Sequence, residues 1–300
     1  MENYMGRHAY LISAHNQPEL LKILLSQLDV DTNDIVLHID KKSSLQYDDF
    51  LGCIHNAKLL TCDRISVVWG AYSQIDAILT ELKTAFYTGE HIHYHLLSGA
   101  DLPLRNIREI NAFYDSHSNK NFVNFDDPAR FQKQYDLRLK YKHYFREKCG
   151  RDKNIYTIFN KALCVAQRLM KISNKDTISS EKFVFGSEWS DLTEDFVNYI
   201  LSHELEIKKH YQNTSCADEV FAQDYAWNTE FRSTVWKPTL NNGMEGNMRY
   251  IDFSHSTNAG AMMITDDIVD KVLASGMMFA RKFDYDRYPG AVNKVIEHNR

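Results

Sequence analysis

Residues 94–104 read YHLLSGADLPL. The stretch begins as an apolar run and stops at Ser98-Gly99-Ala100-Asp101, with Pro103 close behind. A short apolar run closed by Gly and Pro reads as a fully buried strand that ends in a turn. In open α/β sheets, ligands sit in the crevice outside the carboxyl ends of the strands. Asp101 therefore has two readings from position alone. It belongs to a site, or it serves local geometry, since Asp also caps helices (one is expected to start near Asn106) and hydrogen-bonds turns.

Working outward, residues 9–14 (AYLISA) form a short apolar strand. Pro18 then opens a helix with leucines at 20, 21, 24, 25 and 28, and residues 35–39 (IVLHI) form a second strand ending at Asp40. Strand, helix and strand within about 30 residues is the size of a βαβ unit, which closes most simply as a parallel pair. Residues 65–68 (ISVV), ended by Trp69-Gly70, read as a third strand. An amphipathic helix covers 73–87, with apolar residues at 75, 78, 79, 82, 85 and 86. A helix over 107–114 and a short strand over 121–125 follow. This alternation predicts an α/β fold, a Rossmann-like sheet with flanking helices. Further on, the pattern predicts a strand at 182–185 (KFVF), a helix at 193–201 capped by Thr193, a helical run at 220–227, a strand at 249–253 and a helix at 266–275.

Composition bounds the function. The chain has 300 residues, 44% hydrophobic and 25% charged, which is ordinary for a globular protein with a full core. Its net charge of -5 argues against nucleic acid as the main partner. Five scattered cysteines lack zinc spacing and read as reduced thiols. There is no GxGxxG after the first strand, no GxxxxGK[ST] and no GxSxG. With no signal-like segment and no apolar run of membrane-spanning length, the expected location is cytoplasmic, with any membrane contact peripheral.

One segment departs from the average. Residues 130–171 carry twelve Lys and Arg against three acids, a local charge of +9, and residues 155–172 are apolar at helical spacing. One reading is a solvated basic loop followed by a core helix. The other is a basic amphipathic helix at an anionic membrane surface, or a groove for an anionic or lipid-linked acceptor.

The polar residues at the segment ends form a set: Asp40, Trp69, Asp101, Glu188 with Trp189, Asp218 with Glu219, and Arg281 with Lys282. Carboxylates at the carboxyl edge of a sheet plus a late basic pair suit group transfer from an anionic donor. Trp69, Tyr72 and Trp189 have the alternatives of stacking on sugars or packing in the core. His93 and His95 lack a third metal ligand and read as structural, and Asp284 with Asp286 lies too far along the chain to be expected as a metal site.

Taken in order, HAYLISAHN, LHIDKKSS, VVWGAYSQIDA, YHLLSGADLPL, FGSEWSDLTEDFVNYIL, ADEVFAQ, RYIDF and FARKFD resemble the core-2/I-branching family (glycosyltransferase family 14), over about residues 8–285. That family holds β-1,6-N-acetylglucosaminyltransferases, peptide O-xylosyltransferases and bacterial relatives. The resemblance implies a GT-A type fold and one catalytic domain. Residues 1–128 would form the nucleotide-sugar-binding half, 129–180 a basic amphipathic insertion, and 181–300 the acceptor and catalytic half. It further implies a UDP-sugar donor (N-acetylglucosamine or xylose foremost), inversion at the anomeric carbon, no metal or other cofactor, and a glycan or lipid-linked glycan acceptor, in bacterial surface polysaccharide synthesis. Position by position, Glu219 matches the catalytic base. Ser13, Ala14, Asp40, Trp69, Asp101, Arg281 and Lys282 fall on the donor side, with Lys282 and Arg281 on the diphosphate. Glu188, Trp189, Asp218, Phe253 and His255 fall on the acceptor side. A family arginine about twenty residues before Lys282 has no counterpart in residues 256–261. The alternatives are a non-catalytic sugar- or nucleotide-binding protein on the same fold, or a peripheral membrane scaffold.

Overall fold

The computed structural model describes residues 6–150, 154–254 and 260–300. Its elements in chain order are β1 (His8–Ala14), α1 (Pro18–Gln27), β2 (Asn33–Ile39), β3 (Lys58–Thr61), α2 (Ser73–Phe86), β4 (His93–Ser98), β5 (Asp101–Pro103) and α3 (Ile107–Asp115). Next come α4 (Phe131–Arg138), α5 (Arg146–Cys149), α6 (Ile155–Leu169), β6 (Asp191–Thr193), α7 (Glu194–Ser202), α8 (Glu204–Tyr211) and α9 (Phe221–Asn228). The chain ends with β7 (Arg249–Ile251), α10 (Val269–Leu273), β8 (Phe279–Arg281) and α11 (Pro289–His298), with short 3-10 turns between elements.

A five-stranded sheet runs in the order β3-β2-β1-β4-β6. Its first four strands are parallel, and β6 pairs antiparallel with β4. This is the mixed, Rossmann-like α/β sheet of a GT-A-like fold. Strands β1 and β2 are buried almost throughout, so both of their faces must be apolar. Tyr10 and Ile12 face the cluster built with the leucines of α1. Ala9 and Leu11 face the cluster built with α2 and α7. A second, three-stranded sheet runs β5-β8-β7. Its members come from distant parts of the chain, as do those of the first sheet, so the two halves of the sequence interleave.

The two sheets are joined by a buried ion pair. Arg249, on β7, reaches Asp191, on β6, with Nη1 and Nη2 both at 2.6 Å. His95 Nδ1 and the Tyr114 hydroxyl also donate to this carboxylate, at 2.8 and 2.6 Å. Burial opposes ionisation of Asp191, but the Arg249 guanidinium and these donors hold its carboxyl well below the usual range. Burial pushes the His95 ring down to about 3, so it is neutral and donates from Nδ1. His93 is also buried, and its Nε2 meets the Lys120 carbonyl at 2.9 Å.

Four expectations are corrected. Residues 65–68 are not a strand: the edge strand is β3, just upstream, paired with β2 in the register Asp34↔Lys58. The ISVV run instead crosses the carboxyl edge of the sheet, where the Ile65 amide donates to His38 Nε2 at 2.9 Å. Residues 182–185 form no ladder: Phe183, Val184 and Phe185 are core residues in extended chain, with Asp126 donating to the Phe185 carbonyl at 2.9 Å. The 155–172 segment is not a core helix. Helix α6 buries only Asn160 and Gln167 and exposes its apolar face. Asp101 does not cap α3 either, because Asn106 does, accepting from the Arg108 amide at 3.0 Å.

Removing one partner of the Asp191–Arg249 pair strands a charge in the core, which costs about 3–5 kcal/mol. Arg249→Met should lose that much in urea denaturation. The double variant Arg249→Met/Asp191→Leu should recover a large part of the loss, because it strands no charge.

Candidate active site

A cleft of about 630 Å³ opens at the carboxyl ends of β1, β2 and β4. This is the switch point of the sheet, where β1 is flanked by strands reached in opposite directions. Ser13 and Ala14 line it from the end of β1, His38 and Asp40 from the end of β2, and Ser98 from the end of β4. Trp69 comes from the crossing segment, Glu188 and Trp189 from the loop before β6, and Arg281 and Lys282 from the end of β8. Of the residues singled out in the sequence, these eight share one wall system: Ser13, Ala14, Asp40, Trp69, Glu188, Trp189, Arg281 and Lys282.

The register of β5 against β8 sets Asp101 opposite Arg281. Asp101 is buried and does not line the cleft. Its carboxylate accepts from the Ser98 amide at 2.9 Å and the Ser98 hydroxyl at 2.8 Å, which holds the SGAD turn together. It lies 3.4 Å from Arg281 Nε. So Asp101 acts through its turn and through Arg281, behind the cleft surface. The Arg281 guanidinium sits 4.0 Å over the Trp189 ring, with Nη1 3.9 Å from Glu188. Its Nε and Nη1 are buried without an aligned hydrogen-bond acceptor.

Beyond Glu188 lies a cluster of acids. Gln74 Nε2 joins Asp218 at 3.1 Å and Glu188 at 3.5 Å. Burial, then the neighbouring Asp218 charge, pushes the Glu188 carboxyl well up, with Arg281 opposing. Burial, then Glu219, raises Asp218 as well. Two buried carboxyls in contact cannot both ionise cheaply, so the pair favours keeping a proton, and the stronger upward push falls on Glu188. Glu219 differs from both. It is about one-third exposed, and its Oε2 is 2.6 Å from Arg138 Nη2, at the end of α4. Arg138 is itself held by the Cys216 carbonyl at 2.9 Å. The 217–219 turn is tied to the cleft loop by the Gly186 amide on the Glu219 carbonyl at 3.0 Å. Phe253 stands exposed past the end of β7 and is not among the residues lining the cleft. His255 lies outside the described residues, as do 256–259.

Sequence reasoning missed three groups. Glu81, on α2, lines the cleft and accepts from the Ser13 hydroxyl at 2.8 Å. Burial pushes its carboxyl up to about 8. The available signal was an acid within the apolar face of that helix. Arg138 was counted only as part of a basic segment. Glu147 and Lys148, in the same segment, also line the cleft. Glu147 accepts from the Ser73 amide and hydroxyl, both at 2.9 Å. Arg146 donates to the carbonyls of Gly70 and Trp69 at 2.9 and 3.2 Å. Gly70, at φ +71, has no room for a Cβ beside that guanidinium. Part of the basic segment, Glu147 to Gly150 and Asn154, is therefore a wall of the cleft. Among the described residues, no group of three or more His, Cys, Asp or Glu is placed to hold a metal ion.

The core-2/I-branching enzyme family model matches residues 8–274. The chain belongs to that family. A human N-acetyllactosaminide beta-1,6-N-acetylglucosaminyl-transferase is 24% identical over 302 residues, covering 94% of this chain and 69% of the human protein. The protein is thus a glycosyltransferase, and the cleft at the sheet switch point is the candidate place for its nucleotide-sugar donor and glycan acceptor.

The raised Glu81 carboxyl makes stability depend on pH. The folded protein keeps a proton that the unfolded chain releases near 4.5. The contribution is therefore full below that pH and lost as pH rises toward about 8. Glu81→Gln should flatten the fall in melting temperature across that window, as followed by thermal denaturation at several pH values.

Proposed function

We propose that the protein transfers N-acetylglucosamine from a UDP donor to a hydroxyl of a glycan acceptor, inverting the anomeric carbon in a single displacement. The observation that carries this reading is Arg281: a guanidinium stacked on Trp189 in the cleft wall, with two buried donors lacking aligned acceptors. Diphosphate oxygens are the natural acceptors for such a fork. Lys282, and Lys148 from the insertion, add positive charge to the same cleft. Lys148 offers a replacement for the family arginine that residues 256–261 lack. The choice of sugar rests on the name of the human relative, and xylose is the competing donor.

In this reading the nucleoside lies against Ser13, Ala14 and Asp40, with Trp69 beside it. The acceptor oxygen attacks the anomeric carbon, its proton passes to Glu219, and the bond to UDP breaks with the electron pair leaving on UDP. Arg281 and Lys282 hold the charge that develops there, so the reading assigns no metal to this task. Arg138 keeps the Glu219 carboxylate aimed. Glu188, whose carboxyl burial pushes toward the neutral form, hydrogen-bonds a sugar hydroxyl on the acceptor side, next to Asp218 and Trp189. Phe253 is assigned to the acceptor as an exposed aromatic surface.

General-base catalysis contributes about 10²–10⁴-fold. Glu219→Gln should lower kcat by that factor, measured as UDP release, and leave the thermal shift produced by UDP-N-acetylglucosamine intact. Unchanged kcat would remove Glu219 from the role, and donor binding without any turnover would favour a binding protein. Lys282→Ala should weaken donor binding by about 10-fold or more, the worth of one charged hydrogen bond, with turnover insensitive to excess chelator. A larger thermal shift with UDP-xylose would reassign the sugar.

A further inference from the structure

Helix α6 is amphipathic in the opposite sense to a helix of a globular core. The residues it buries are polar. Asn160 accepts from the Phe145 amide at 3.3 Å and meets His143 at 3.0 Å. Gln167 accepts from the Lys142 amide and donates to the Lys142 carbonyl, both at 3.0 Å. With Cys164 between them, these residues form one narrow stripe at helical spacing. The helix is thus fastened by hydrogen bonds to the irregular backbone of residues 142–145, and it contributes nothing to either hydrophobic cluster.

Its apolar residues face outward. Ile158, Val165 and Leu169 are 64, 55 and 79% exposed, and Ile155 and Phe159 are half exposed beside them. Nine of the sixteen large hydrophobic residues that stand exposed among the described residues fall between Ile155 and Ile172. Such concentration marks an interaction surface, unlike isolated exposed side chains. From Asn154 to Lys175 there is no acid, and Lys161, Arg168, Lys171 and Lys175 are all basic and exposed. A protein partner would need an acidic rim around an apolar groove. An anionic bilayer supplies both elements at once, acyl chains for the apolar face and headgroups for the basic flank. At 15 residues the helix is about 22 Å long, shorter than the roughly 30 Å hydrocarbon core, and no described helix can cross a membrane.

We infer that α6 seats this protein on an anionic lipid surface, lying in the interface and not spanning it. The position of the cleft follows from the same helix. Asn154, which caps α6, and Lys148 to Gly150, just before it, line the donor cleft. Seating α6 on lipid therefore brings the cleft wall to the bilayer surface, where an acceptor glycan carried on a lipid would be presented. That last step rests on the transferase reading of the cleft, whereas the seating does not.

Vesicle flotation separates the two. The wild-type protein should float with vesicles of phosphatidylcholine plus phosphatidylglycerol, float far less with phosphatidylcholine alone, and release at high salt. Ile158→Glu/Leu169→Glu changes exposed residues only. It should abolish flotation and leave the melting temperature and UDP-sugar turnover unchanged. Arg168→Glu/Lys171→Glu should lower binding to the anionic vesicles by about 10-fold or more. Absence of wild-type flotation overturns the inference. So does a concentration-dependent dimer, seen by sedimentation, that Ile158→Glu/Leu169→Glu dissolves, because it would give the face to a second copy. Flotation with no turnover in any assay would keep the seating and remove the transferase reading.

Discussion

The geometry of the active-site region depends on one fully desolvated carboxylate. Asp191 lies at the antiparallel edge of the main sheet, and Arg249 lies in the small sheet. Ion pairs of this kind cost more to desolvate than a hydrophobic contact of equal volume unless every lone pair and proton is used. Here almost all are. Asp191 accepts from Arg249, His95 and Tyr114, and Arg249 also donates to the Asn247 carbonyl at 2.6 Å. The gain is positional. Two sheets with different strand directions are locked at one relative height, and β8, next to β7, carries Arg281 of the cleft at that height.

From that lock the electrostatics of the cleft follow. Arg281 is placed by register against Asp101, and Asp101 is held by its own turn. The guanidinium faces Glu188 but is not aligned to hydrogen-bond with it. A cation faced by carboxyls but left with unaligned donors is suited to an anionic ligand that arrives later. The three acids of the cluster are kept distinct by environment. Glu188 and Asp218 are buried together and compete to ionise, whereas Glu219 turns outward to Arg138. Two acids whose ionisation burial opposes, beside a third paired with a guanidinium, place different carboxyl environments in the same corner.

The parts of this fold that could be read from residues are those where one physical rule dominates. Strands β1, β2 and β4 are buried on both faces, which makes their runs mainly apolar, and the SGAD stop marks the sheet edge. The 65–68 and 182–185 runs have the same composition, but β-branched and aromatic residues say only that a segment is buried, not that it pairs. Eight of the site residues were legible because they end strands or sit in motifs. Glu81, Arg138 and Lys148 were not, since each lies within a helix or a charged tract whose ordinary explanation is solvent exposure. What recruits them is tertiary: α2 passes beneath β1, and the insertion folds back onto Gly70.

Helix α6 shows why periodicity cannot decide orientation. A moment at 3.6 residues per turn states that two faces differ, not which one meets the protein. The neighbour decides. Residues 142–145 present irregular backbone with amides and carbonyls that need partners, and an apolar helix face would leave them unsatisfied at a cost of about 1–3 kcal/mol each. Asn160 and Gln167 meet that need, so the polar stripe must turn inward. Once it does, the apolar stripe has nowhere to go but outward, next to the cleft that the same segment helps to wall.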